Sequence, residues 1–136
     1  MFFGRRNLWL ERRLIEYAEK GATGGALMAL QAGADVNHED WENFSRTALH
    51  YAAQGGREAL AQVLLGAGAN INAADEYGAT PLHEAAWWNK PEVAKVLLAN
   101  GAQVNCGGLV AALLSCVANV LLMYCKCVAN VLLMCC

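Results

Sequence analysis

The sequence predicts an all-α chain of antiparallel helix pairs stacked side by side, followed by an apolar tail that reads as helical. Three observations lead there. A block of identities recurs at an offset of 33 residues. Helix start and stop signals fall at the same places in each copy. The polar, charged character of residues 1–105 stops abruptly, because from Cys106 to Cys136 the only charged residue is Lys126.

The repeat is the strongest signal, since a fixed period of this size marks a stacked-repeat architecture. Thr47, Leu49 and His50 return as Thr80, Leu82 and His83, and Ala52-Ala53 returns as Ala85-Ala86. Val63-Leu64-Leu65 returns as Val96-Leu97-Leu98, Gly68-Ala69 as Gly101-Ala102, and Asn72 as Asn105.

Each conserved spacing has a local physical reading. Thr80 is a helix N-cap residue, and Pro81 suits the first helical position, where a missing N–H is harmless. Ala85 and Ala86 let neighbouring helices approach closely. Pro91 opens a second helix whose Val93, Val96 and Leu97 fall at helical spacing. Gly101 supplies the left-handed residue that ends it. One such hairpin cannot bury its apolar face alone and has to stack on its neighbours.

Residues 73–105 resemble the ankyrin repeat, reading D-x-x-G-x-T-P-L-H-x-A-A and then V-x-x-L-L-x-x-G-A-x-V-N, with Asp75 and Gly78 opening the motif. The resemblance extends over residues 8–105. It divides them into a partial first repeat (8–37), a second (38–72) and a third (73–105), with residues 106–136 as a separate Cys-rich tail. Repeat 2 has Ala48 in place of the proline and Ser45 in place of the turn glycine. Its approach to the helix, Asn37 to Thr47, is two residues longer than Asn72 to Thr80, so its finger is expected to be longer and less regular. Repeat 1 keeps only the helical part, with Tyr17-Ala18 where the paired alanines would stand. Gly24 and Gly25 are expected to weaken its second helix, by up to about 1 kcal/mol each relative to alanine.

Composition narrows the function classes. A net charge of −2 and the lack of a basic recognition helix argue against a nucleic-acid binder. All six cysteines lie in the tail, which is not how a secreted disulfide scaffold distributes them. Met1 to Lys20 holds several Arg and Glu residues and no apolar run of signal-peptide length. The expectation is a cytoplasmic protein, with nuclear or membrane-associated settings also compatible.

No catalytic, cofactor-binding or metal-ligating set emerges. His50 and His83 sit within the repeated T-x-L-H turn. The resemblance implies that each bonds neighbouring backbone and ties adjacent loops together. His38, in the long loop, is expected to be solvated. No serine, cysteine or acid joins these histidines in a nucleophile motif, and no phosphate-cradling glycine loop is present. Cys125-Lys126-Cys127 and Cys135-Cys136 are too close-set for a zinc knuckle.

The resemblance implies instead a protein-interaction module, with no enzyme activity, small-molecule substrate or cofactor, that binds a partner protein through its fingers and the exposed side of each first helix. Those positions fall on Ala74, Glu76, Tyr77, Ala79, Trp87 and Trp88 in repeat 3. In repeat 2 they fall on Trp41, Asn43, Phe44, Arg46 and Gln54. The candidate partner-binding residues are Trp41, Phe44, Arg46, Tyr77, Trp87 and Trp88, because Trp, Tyr and Arg are enriched in binding hot spots. For Trp87 and Trp88, packing on a neighbouring repeat or on the tail is the competing reading.

The tail repeats the octapeptide CVANVLLM at 116–123 and 127–134, an offset of 11 residues that places both copies on one helical face. Its VANVLL also echoes VAKVLL at 93–98. Three readings stay open: a helix capping repeat 3, a membrane anchor, or the end of a variant or truncated form of a longer ankyrin-repeat protein. The 20 uncharged residues from Cys106 to Cys125 are long enough to span a bilayer. Asn119 and the lack of flanking basic clusters count against that anchor, but a membrane-tethered adaptor held through residues 106–136 stays the alternative function.

Overall fold

A computed structural model describes residues 8–103. The readings of the tail concern residues 106–136 and lie outside the described residues. Six helices follow one another: α1 (Leu8–Lys20), α2 (Thr23–Gln31), α3 (Ala48–Gln54), α4 (Glu58–Gly66), α5 (Pro81–Trp87) and α6 (Pro91–Ala99). They form three helix pairs. Among the described residues there is no β-strand, and no helix is long and apolar enough to cross a membrane.

The pairs stack in two layers. The first helices α1, α3 and α5 pack in one row, and the second helices α2, α4 and α6 in the other. The core lies between the rows. Leu14, Ala18, Leu49, Ala52 and Ala53 reach it from the first helices, and Leu60, Ala61, Leu64, Val93 and Leu97 from the second. The same register positions, Leu60/Ala61/Leu64 and Val93/Ala94/Leu97, are buried in α4 and α6, which explains why that stretch of sequence repeats. The alanine pairs are buried throughout, as close approach of the first helices requires.

The T-x-L-H turns have a shared geometry. Thr47 and Thr80 are extended N-cap residues, and a histidine occupies the place of the usual Glu in a capping box. The Thr47 N–H donates to Nδ1 of His50 at 3.1 Å, and the Thr80 N–H to Nδ1 of His83 at 3.0 Å. A nitrogen that accepts an N–H carries no proton, so in the neutral ring of His50 the proton is on Nε2. That nitrogen donates to the carbonyl of Ala79 in the next finger at 2.8 Å. Burial holds His50 below the ordinary imidazole range, although the Ala79 carbonyl pulls the other way. Both histidines brace the backbone of their own turns, and His50 also ties its repeat to the next finger, as the resemblance implied for it.

His38 differs from expectation. Its Nδ1 lies 3.2 Å from a carboxylate oxygen of Glu11, and both side chains are largely covered, so it ties the second finger back to α1. Asparagines link the closing turns. Asn70 N–H donates to Asn37 Oδ1 at 2.6 Å, and Gln103 N–H to Asn72 Oδ1 at 2.9 Å. The recurrence of Asn at 37 and 72 thus reflects one bond made repeatedly between successive repeats.

Candidate interaction face on the fingers and first helices

The two fingers are built alike despite their different lengths. In the third repeat Asp75 N–H donates to the Ala79 carbonyl at 2.9 Å, closing a loop over residues 76–78. In the second, Asp40 N–H donates to the Arg46 carbonyl at 2.7 Å, and the two residues form an isolated antiparallel bridge. The two extra residues lie inside this loop, 41–45, rather than in the approach to the helix. Each aspartate also organises its own loop. Asp75 Oδ1 accepts from the N–H groups of Tyr77 and Ala79. Asp40 accepts from Glu42 N–H, the Asn43 amide and the Tyr51 hydroxyl. Burial pushes the Asp40 carboxyl up, but these three donors outweigh it and hold the group below its usual range.

The turns expose aromatic rings. Gly78 takes positive φ (78°), while the longer finger uses Phe44 (62°) and Ser45 (56°) for its turn. A bulky residue with positive φ is rare and costs energy. Contacts with the next finger hold Phe44 there. Its carbonyl accepts from Glu76 N–H at 3.0 Å, and its ring packs on Tyr77 with centroids 5.2 Å apart.

Arg46 links the fingers to the helices. Its guanidinium donates to Gln54 at 3.3 Å and to Glu84 at 3.1 Å, and lies 6.0 Å from the Phe44 ring. Its Nε stands 3.7 Å from Asp75 Oδ2, an ion pair without a hydrogen bond. The other oxygen of Glu84 accepts from the Trp88 indole N–H at 3.2 Å. Burial raises the Glu84 carboxyl above its ordinary range, partly countered by Arg46 and Trp88.

Four of the six candidate residues thus form one connected set, Trp88–Glu84–Arg46–Phe44–Tyr77, in which Glu84 is the link that sequence reasoning did not single out. Arg46 itself is largely covered, its side chain 22% exposed. Trp41 lies apart, between Asp40, which bonds α3, and Glu42, which meets Arg12 of α1 at 3.3 Å. Trp87 occupies the position of Gln54 one repeat on. All five aromatic candidates are open to solvent: Trp41 72%, Phe44 46%, Tyr77 54%, Trp87 54% and Trp88 49% exposed. Ala79, also expected on the surface, is instead buried under the His50 bond.

A family profile described as ankyrin repeats, in three copies, matches residues 14–107. The chain belongs to the ankyrin-repeat family. No curated protein matches it. Ankyrin repeats are in general protein-interaction modules and are typically not enzymes. The aromatics described above lie in the fingers of the second and third repeats and at the end of the first helix of the third. Trp9 on α1, 67% exposed and capped by Arg13 at 5.4 Å, is an additional exposed ring. The only sequence signal for it was its place on the first helix of a repeat lacking the T-P-L-H motif.

Proposed function

We propose that this ankyrin protein is an adaptor or scaffold that binds a partner protein through the fingers and first helices of repeats 2 and 3. Trp41, Phe44, Tyr77, Trp87 and Trp88 make the contacts, and Arg46 acts mainly by holding Phe44 and Glu84 in place. The supporting observation is that five large rings carried by the fingers and the α5 end are all open to solvent. Rigid aromatics contribute buried area at low entropic cost, so a few of them carry most of an interface's affinity. The cysteine-free repeats suit a reducing compartment, and the cytoplasm is the proposed setting.

The test is a binding titration of purified variants against a partner recovered by pull-down, with circular dichroism as the folding control. Tyr77→Ala and Trp87→Ala are expected to weaken binding by about 2 kcal/mol each while leaving helicity unchanged. Lys95→Ala, on the exposed side of α6, is expected to bind normally. Loss of binding in Lys95→Ala with normal binding in both aromatic variants would place the interface on the second helices instead.

A further inference from the structure

The charge of the described residues is distributed very unevenly. All twelve carboxylates fall within residues 8–103, but only seven of the ten Lys and Arg do; Arg5, Arg6 and Lys126 lie outside the described residues. The second helices and the turns around them are balanced, with Asp35, Glu58 and Glu92 against Arg57, Lys90 and Lys95. The remaining nine acids and four bases, a net −5, all belong to the fingers and first helices. The overall charge of −2 conceals this asymmetry.

The four cations on that side are already paired. Arg12 meets Glu42, Arg13 and Lys20 both meet Glu16, and Arg46 meets Glu84. Glu19, Glu39 and Glu76 stand in no ion pair among the described residues. Glu39 stands just before the finger that carries Trp41, and Glu76 lies within the other finger, next to Tyr77. The exposed rings therefore sit in a field of uncompensated negative charge. Such a field repels phosphate backbones and anionic membrane surfaces, and attracts cations.

The rings suit the same occupant. Guanidinium and ammonium groups are drawn to the faces of Trp and Tyr. The protein already shows this contact twice within itself, with Arg13 over Trp9 at 5.4 Å and Arg46 over Phe44 at 6.0 Å. From the coincidence of open aromatic faces with unpaired carboxylates, we infer that the partner contacts this face through a segment rich in arginine and lysine. This rests on the interaction face proposed above and specifies the chemistry of what it binds.

The test uses the full chain, immobilised and offered a random twelve-residue peptide library displayed on phage. Enrichment of Arg- and Lys-rich peptides is expected. One enriched peptide, labelled and titrated by fluorescence anisotropy, is expected to bind the double variant Glu39→Lys/Glu76→Lys about tenfold more weakly. The control Glu58→Lys/Glu92→Lys, an equal charge change on the second helices, is expected to shift affinity less than about twofold. Added salt is expected to weaken binding to the unaltered chain. An enriched pool that is acidic or uncharged overturns the inference, as does an unenriched library or an equal effect of the two double variants. Tyr77→Ala and Trp87→Ala separate the two levels. If they abolish binding of a neutral enriched peptide, the face stands and its basic partner does not. If they bind every enriched peptide unchanged, both proposals fall.

Discussion

Arg46 is where structure and surface meet, and removing it tests how they are coupled. Its guanidinium lies between Glu84 and Asp75, whose side chains are 9% and 1% exposed. Truncating one partner of a covered ion pair leaves the other charge without compensation, which costs more than the pair itself contributes. Arg46→Ala is expected to lower stability by about 2–3 kcal/mol, below the fully buried range because Arg46 is partly solvated. Adding Glu84→Gln should recover part of that loss, since it removes one stranded carboxylate; additive losses in denaturant melts would show that the pair is not coupled. His50 carries a second residue-level expectation. Its folded pKa is depressed by burial, so the unfolded chain takes up the proton first as pH falls. The stability it contributes is complete above about pH 6.5, the unfolded value, and is lost as pH falls through the folded value. Proton NMR should find the His50 ring titrating below 6.5, and a midpoint at or above that value would contradict the burial argument.

At the scale of the element, the two glycines of α2 show where sequence reasoning reached its limit. Propensity treats Gly24 and Gly25 alike, as two weak points in one helix. Their surroundings differ. A Cβ at Gly24 would meet open space, whereas one at Gly25 would lie 2.7 Å from the Tyr17 ring of α1. Gly24→Ala is therefore expected to raise stability by about 0.5–1 kcal/mol, and Gly25→Ala to lower it by about 1–3 kcal/mol. Thermal melts moving in the same direction for both would mean that propensity alone governs this helix. The finger of repeat 2 follows the same logic. Ser45 occupies the place of Gly78 at positive φ, so Ser45→Gly is expected to add about 1 kcal/mol. What was legible in the sequence is what a single repeat encodes: the Thr–His turn, the alanine pair and the terminating glycine. Contacts between distant positions were not legible. The Arg46–Glu84 bond spans 38 residues, and nothing local marks Glu84 as its acceptor. Exposure of Trp41, Phe44 and Tyr77 was readable because the period places them in the fingers, whereas for Trp87 and Trp88 the sequence left packing on a neighbour open. The pairing of Phe44 with Tyr77 was not readable, because it depends on how the longer loop turns.

For the molecule as a whole, stability in a stacked-repeat protein is a sum of repeat terms and nearest-neighbour interfaces. The middle pair makes both interfaces: α3 packs on α1 and α5, and α4 packs on α2 and α6. Leu49 on α3 and Leu97 on α6 are both fully covered core residues. Truncating either to alanine removes similar transfer free energy and leaves a cavity, a cost of about 2–5 kcal/mol. Their consequences should nevertheless differ. Loss at Leu49 weakens the pair through which α1–α2 and α5–α6 communicate, so amide protection should fall across all six helices together. Loss at Leu97 weakens one end of the described stack, so exchange should accelerate in α5 and α6 first, with α1 and α2 retaining most of their protection. Hydrogen exchange read by mass spectrometry on the two variants distinguishes these patterns. Uniform acceleration in Leu97→Ala would mean that three helix pairs are too few to uncouple and that the stack folds as one unit. The graded pattern would place the fingers of repeats 2 and 3, and the aromatic face they carry, at a boundary that can open locally while α1 and α2 hold.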